Sequence, residues 1–163
     1  MEFSGPKSKV QCDHRLDLAR AWLQKLGVEI QSEFQSVAGD ASFRRYFRLK
    51  VDGESRILMD APPPGEDVTP FIDVGWRLRS AGLYAPEIVH TDPQNGYLLL
   101  EDLGDSLLRD SLGEDNVRIQ FPRLFEILKN MALKVDASQL PEFGAALLRK
   151  EMNLLPDWYL GHH

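Results

Sequence analysis

The sequence predicts an α+β chain: a five-stranded antiparallel sheet carrying a helix, followed by helices alone. Three observations predict it. Strand-like alternation is confined to residues 29–104. Two hairpin signals, Asp52-Gly53 and Asn95-Gly96, fall inside that window. Beyond Gly104 the apolar residues recur only at helical spacing.

Residues 1–12 are polar and carry Gly5 and Pro6, which predicts a flexible arm. Asp13 then caps a helix through about Leu26, with Leu16, Ala19, Leu23 and Leu26 on one face and Gly27 as the stop. Ile30 to Val37 reads as a first strand, and Ala38-Gly39-Asp40-Ala41-Ser42 as a turn. Phe43 to Val51 and Arg56 to Asp60 continue an antiparallel meander. Ala61-Pro62-Pro63-Pro64-Gly65 must be an extended loop, because proline supplies no ladder donor. Thr69-Pro70 opens a helix to about Ala81, with threonine as the cap and proline in the first turn.

Ala85 to His90 reads as a fourth strand. Tyr97 to Glu101, almost wholly apolar, suits the centre of a sheet. The segment 100–105 then hands over to a short helix at Ser106–Leu112 and longer ones at about Asp115–Val135 and Glu142–Leu154. Pro122 fits the long helix only in its first turn or at a kink. Trp158-Tyr159-Leu160 trails to His162-His163. The boundaries are a 1–12 arm, a 13–104 sheet lobe with a hinge at 100–105, and a 106–163 partial helical lobe.

The net charge is −6 with 27% charged residues, which argues against nucleic acid or an anionic membrane surface as the main partner. Cys12 is the only cysteine, so no internal disulfide or cysteine–histidine zinc site is expected. The N-terminus lacks an apolar signal core, and no apolar run approaches the ~20 residues that span a bilayer. A cytoplasmic location is expected.

Four stretches carry a resemblance: Gly39-Asp40-Ala41-Ser42-Phe43-Arg44-Arg45-Tyr46-Phe47-Arg48, Met59-Asp60-Ala61-Pro62-Pro63, Leu98-Leu99-Leu100-Glu101-Asp102-Leu103-Gly104, and Leu155-Pro156-Asp157-Trp158-Tyr159-Leu160. In order and spacing they resemble the aminoglycoside-phosphotransferase and choline-kinase-like family of the kinase fold. More narrowly, they resemble the bacterial anomeric sugar kinases of N-acetylmuramate and N-acetylglucosamine.

The resemblance implies a nucleotide site using ATP and Mg²⁺. Gly39, Asp40, Ala41 and Ser42 would meet phosphate oxygens through main-chain N–H groups, which small residues leave accessible. No Gly-Lys-Ser/Thr follows, so the turn is not a Walker A loop. Arg44 and Arg45 are candidate phosphate ligands because a guanidinium fork suits phosphate. Strand alternation forbids both from aiming at one site. Met59 on the third strand, and the main chains of Glu101 and Leu103 at the hinge, complete the implied site.

The third strand lacks the lysine common in such folds, and Phe71 and Asp73 stand near the place of its glutamate partner. The family places its catalytic Asp, its Asn and its metal-binding Asp after the Trp158-Tyr159 region. None of His14, His90, His162 or His163 begins such a loop. The expectation is therefore the N-terminal part of an ATP-dependent small-molecule kinase, with no catalytic residue or metal ligand here and inactive alone. Its substrate would be a small polar molecule such as an amino-sugar. The alternative is a non-catalytic nucleotide- or partner-binding module. The apolar positions of the later helices predict either self-association through residues 114–160 or poor ordering of those helices.

Overall fold

The computed structural model describes residues 13–37, 43–113 and 116–160, the side chains of 158–160 excepted. The expected arm at 1–12, the turn Gly39 to Ser42, the helix start at Asp115 and the pair His162-His163 lie outside the described residues.

Helix α1 spans His14–Lys25, and the Asp13 side chain caps it by accepting the Arg15 main-chain N–H. Strands β1 (Gln35–Val37), β2 (Arg45–Val51) and β3 (Glu54–Asp60) follow as a meander. Then come α2 (Thr69–Ser80), β4 (Ile88–Asp92) and β5 (Tyr97–Glu101). All pairings in the five-stranded sheet are antiparallel, in the order β1-β2-β3-β5-β4. The apolar strand β5 thus lies between β3 and β4, where both its edges are paired.

The pleat sorts side chains to two faces. Phe47, Leu49, Val51, Leu58, Tyr97 and Leu99 join Ala19 and Leu23 of α1 in one core. Met59, Leu98 and Leu100 join Ala61 and Val68 in a second, against which Phe71 and Ile72 of α2 pack. The sheet is therefore covered by α1 on one side and α2 on the other.

Several boundaries differ from expectation. Residue 30 makes only an isolated bridge to Val51, and the first strand proper starts at Gln35. Main chain and side chains together hold the intervening segment: Gln31 donates its N–H to the Lys50 carbonyl at 2.8 Å, Ser32 Oγ accepts the Lys50 N–H at 2.8 Å, and Gln31 Oε1 accepts that of Gly53 at 2.8 Å. Thr69 is the first helical residue rather than the cap. Asp67 Oδ1 takes the capping role by accepting the Thr69 N–H at 2.8 Å. The fourth strand begins at Ile88, past Pro86, and carries an irregularity between Ile88 and His90.

After the hinge come α3 (Leu108–Ser111), α4 (Val117–Lys134) and α5 (Ala145–Leu154). Pro122 lies inside α4, beyond the first turn, which was one of the two places open to it. Leu155–Leu160 continues as a π-helical segment, where Pro156 has no N–H for an α-helical bond. Neither α4 nor α5 contains a buried residue.

Candidate functional site

A cleft of about 330 Å³ opens between the α2 side of the sheet and the hinge. Tyr46 and Arg48 of β2, Ile57 of β3 and Leu100 of β5 form its strand wall; Val37, Phe71 and Pro86 close the sides, and residues 101–105 form the edge. The parity explains the wall, since Tyr46 and Arg48 point opposite to the core residues Phe47 and Leu49. A larger hollow of about 570 Å³ lies between α2 and residues 134–136, but neither hinge nor strand residues line it. The cleft beside residues 101–105 is therefore the candidate site.

The hinge is tied to β2 by Arg48. Its Nε and Nη2 donate to Asp102 at 2.7 and 3.0 Å, and its Nη1 and Nη2 to Asp105 at 2.8 and 2.9 Å. The Arg48 guanidinium holds the Asp102 carboxyl down at about 2, helped by Ser55 and the Gly104 N–H against the opposing effect of burial. Asp105 is lowered by the same guanidinium. The Glu101 carboxylate turns to the neighbouring loop, accepting the Tyr84 hydroxyl at 2.5 Å and the Glu87 N–H at 3.0 Å. The Glu101 main-chain N–H is also spent, on the Glu87 carbonyl at 2.9 Å. Leu103 differs: among the described residues its main-chain N–H and C=O take no partner, and it lines the cleft.

The structure brings together only part of the sequence-derived set. Gly39, Asp40, Ala41 and Ser42 lie outside the described residues. Glu101 and Leu103 line the cleft. Met59 is fully buried in the α2-side core and does not line it. Of the residues near the expected place of the glutamate, Phe71 packs on the apolar core that contains Met59, while Asp73 is taken by Arg77 Nε at 2.9 Å.

Arg44 Nε donates to Glu66 at 2.8 Å, and that carboxylate raises the arginine above its ordinary pKa. Arg45 is carried to the α1 side. It pairs with Asp13 at 2.5 Å and with the buried Asp60, which Arg15 also holds at 2.6 Å. Each arginine expected near phosphate thus already has a carboxylate. Sequence reasoning missed Tyr46, Ile57, Asp102 and Asp105 as cleft residues, and noted Arg48 only as one of the second-strand arginines. Strand parity, with the two acids flanking Leu103-Gly104, was the available signal.

Residues 33–162 match the family described as APH, the phosphotransferase enzyme family. The chain belongs to that family. It is 41% identical over 153 residues to an N-acetylmuramate/N-acetylglucosamine kinase of Pseudomonas aeruginosa, covering 93% of this chain and 44% of that protein. A Pseudomonas putida protein of the same name is 42% identical over 127 residues, covering 77% of this chain and 37% of its own length. One from Neisseria meningitidis is 33% identical over 144 residues, at 85% and 42% coverage. The chain therefore spans less than half the length of these relatives. No helix among the described residues is long and apolar enough to cross a membrane.

Proposed function

We propose that the phosphotransferase chain forms the ATP-binding lobe of a kinase acting on an amino-sugar such as N-acetylmuramate or N-acetylglucosamine. The observation that carries the reading is the hinge cleft. Apart from Arg48 its wall is apolar and aromatic, its edge carries Leu103, whose main-chain donor and acceptor take no partner among the described residues, and Arg48, the one cation among its described lining residues, is matched by carboxylates. Such a cleft suits a neutral planar base and repels phosphate. The phosphates then fall to the turn Gly39, Asp40, Ala41 and Ser42, with Arg44 beside it. Met59 belongs to the buried core on which the wall residues Tyr46 and Ile57 pack, so it supports the wall without meeting the base. Arg45, on the far face, stands outside this reading.

ATP fits the cleft by its donor set. Mg²⁺ is different: no group of three His, Cys, Asp or Glu side chains converges on a metal position among the described residues, and no step is derived through it. The reading includes a cytoplasmic protein that transfers little or no phosphoryl group as these 163 residues alone. The relatives' printed names support the amino-sugar, and the partial coverage supports the inactivity.

Calorimetry with ATP and adenosine, beside a phosphoryl-transfer assay on the two sugars, tests the proposal. Binding of both nucleotide and nucleoside is expected. A second reading, a module that binds a nucleotide or protein partner without catalysis, is favoured by the absence of a lysine from the third strand, Ile57-Leu58-Met59-Asp60. It would gain if the chain with its full natural flanking sequence bound ATP and phosphorylated neither sugar.

A further inference from the structure

Asp102 and Asp105 are held by the same guanidinium but are used differently. Asp102, 7% exposed, has both oxygens filled: Oδ2 accepts Arg48 Nε and Ser55 Oγ, and Oδ1 accepts Arg48 Nη2 and the Gly104 N–H. Asp105, 78% exposed, accepts only from Arg48 among the described residues. Arg48 commits four bonds to two points on one short segment. Because the fork is planar and rigid, it fixes position as well as charge. Leu103 lies between the two gripped residues.

We propose that Arg48 is a positioning residue that sets the base selectivity of the hinge cleft. By fixing Asp102 and Asp105 to β2, it aims the Leu103 main-chain N–H and C=O along one direction. Hydrogen bonds weaken steeply with misalignment, so a fixed edge accepts one pattern of base donors and acceptors and rejects another. A lysine in its place keeps the charge but cannot hold two carboxylates by a fork. The inference rests on the proposed nucleotide site.

The test uses the full chain as wild type, Arg48→Lys and Asp102→Asn. Amide exchange over 101–105 is measured without ligand, and calorimetry with ATP, GTP and adenosine. Both variants should exchange faster at the hinge while strands β3 and β5 stay protected. ATP and adenosine should weaken together by about tenfold, the loss expected of one misaligned hydrogen bond, and the preference for ATP over GTP should collapse. A chain carrying both Arg48→Lys and Asp102→Asn should be no worse than either single variant.

Unchanged hinge exchange in the ligand-free variants would overturn this inference alone. So would loss of ATP affinity with adenosine spared, which would make Arg48 a phosphate contact. A wild-type chain that binds neither ATP nor adenosine would overturn the nucleotide site itself, and this role with it.

Discussion

Ala61 donates its main-chain N–H to the Gly96 carbonyl at 2.8 Å, and a Cβ placed on Gly96 would stand 1.9 Å from the Ala61 carbonyl oxygen. The turn before β5 and the end of β3 thus touch backbone to backbone. Gly96 also has φ +75°, a conformation that L side chains rarely adopt. Gly96→Ala should therefore destabilise by about 3 kcal/mol or more, since no flexible side chain can give way. Gly82 has the same φ with open space around it, so Gly82→Ala should cost only about 1 kcal/mol. Equal urea midpoints for the two variants would show that the close approach does not matter.

Asp60 is completely buried, and Arg15 and Arg45 meet on it from α1 and β2. Replacing it with alanine leaves two partly buried guanidinium groups facing an apolar core with no shared counter-ion. The expected cost is about 3 kcal/mol, at the low end for a broken buried pair because both arginines keep some water contact. Asp13→Ala removes one half-buried pairing and a helix cap, worth about 1 kcal/mol. Thermal unfolding should rank Asp60→Ala well below Asp13→Ala; the reverse order would sink the idea that Asp60 is the centre of the clasp.

Most of the sheet was legible because local chemistry decides it. Asp52 (φ 50°) and Gly53 (φ 87°) form the hairpin that their residue types demand, and the run from Tyr97 to Leu100 could only be buried on both faces. The site was less legible. Alternation says that Arg45 and Arg48 face opposite ways, but not which face α1 covers. That depends on the long-range pairing of Asp13 and Arg15 with β2 and β3, which no local pattern encodes. The Arg48–Asp102 tie joins residues 54 apart in sequence, beyond the reach of any local pattern.

Acid should weaken the hinge tie. Asp102 is held at about 2 in the folded chain against an ordinary 3.8, chiefly by Arg48. A depressed carboxylate contributes stability that is fully present above its unfolded value and is lost as pH falls through the folded one. The contribution is on the order of 2 kcal/mol, present above about pH 4 and lost toward about pH 2. Asp13 and Asp105 are shifted the same way and deepen the loss. Wild-type stability should fall more steeply than that of Asp102→Asn across this window. Parallel curves would mean that Asp102 gains nothing from its partners.

The helices after the hinge lead to the last prediction. Phe121, Phe125 and Leu128 of α4 and Leu148, Met152 and Leu154 of α5 are all exposed, and no residue of either helix is buried. One tie to the sheet lobe is polar: Arg77 of α2 donates to the carbonyls of Asp136 and Ser138 at 2.6 and 2.8 Å. Apolar area left in water forfeits roughly 25 cal/mol per Å², so two amphipathic helices gain by meeting any apolar surface, including their own copies. We propose that the 163-residue chain self-associates through residues 114–160. Light scattering over a dilution series should show a mass that rises with concentration. Phe125→Glu with Leu148→Glu should restore the monomer without lowering the unfolding midpoint of the sheet lobe, because neither side chain contributes to its cores. A strictly monomeric wild type with slowly exchanging α4 and α5 amides would show that these faces are covered within one copy, and the proposal would fail.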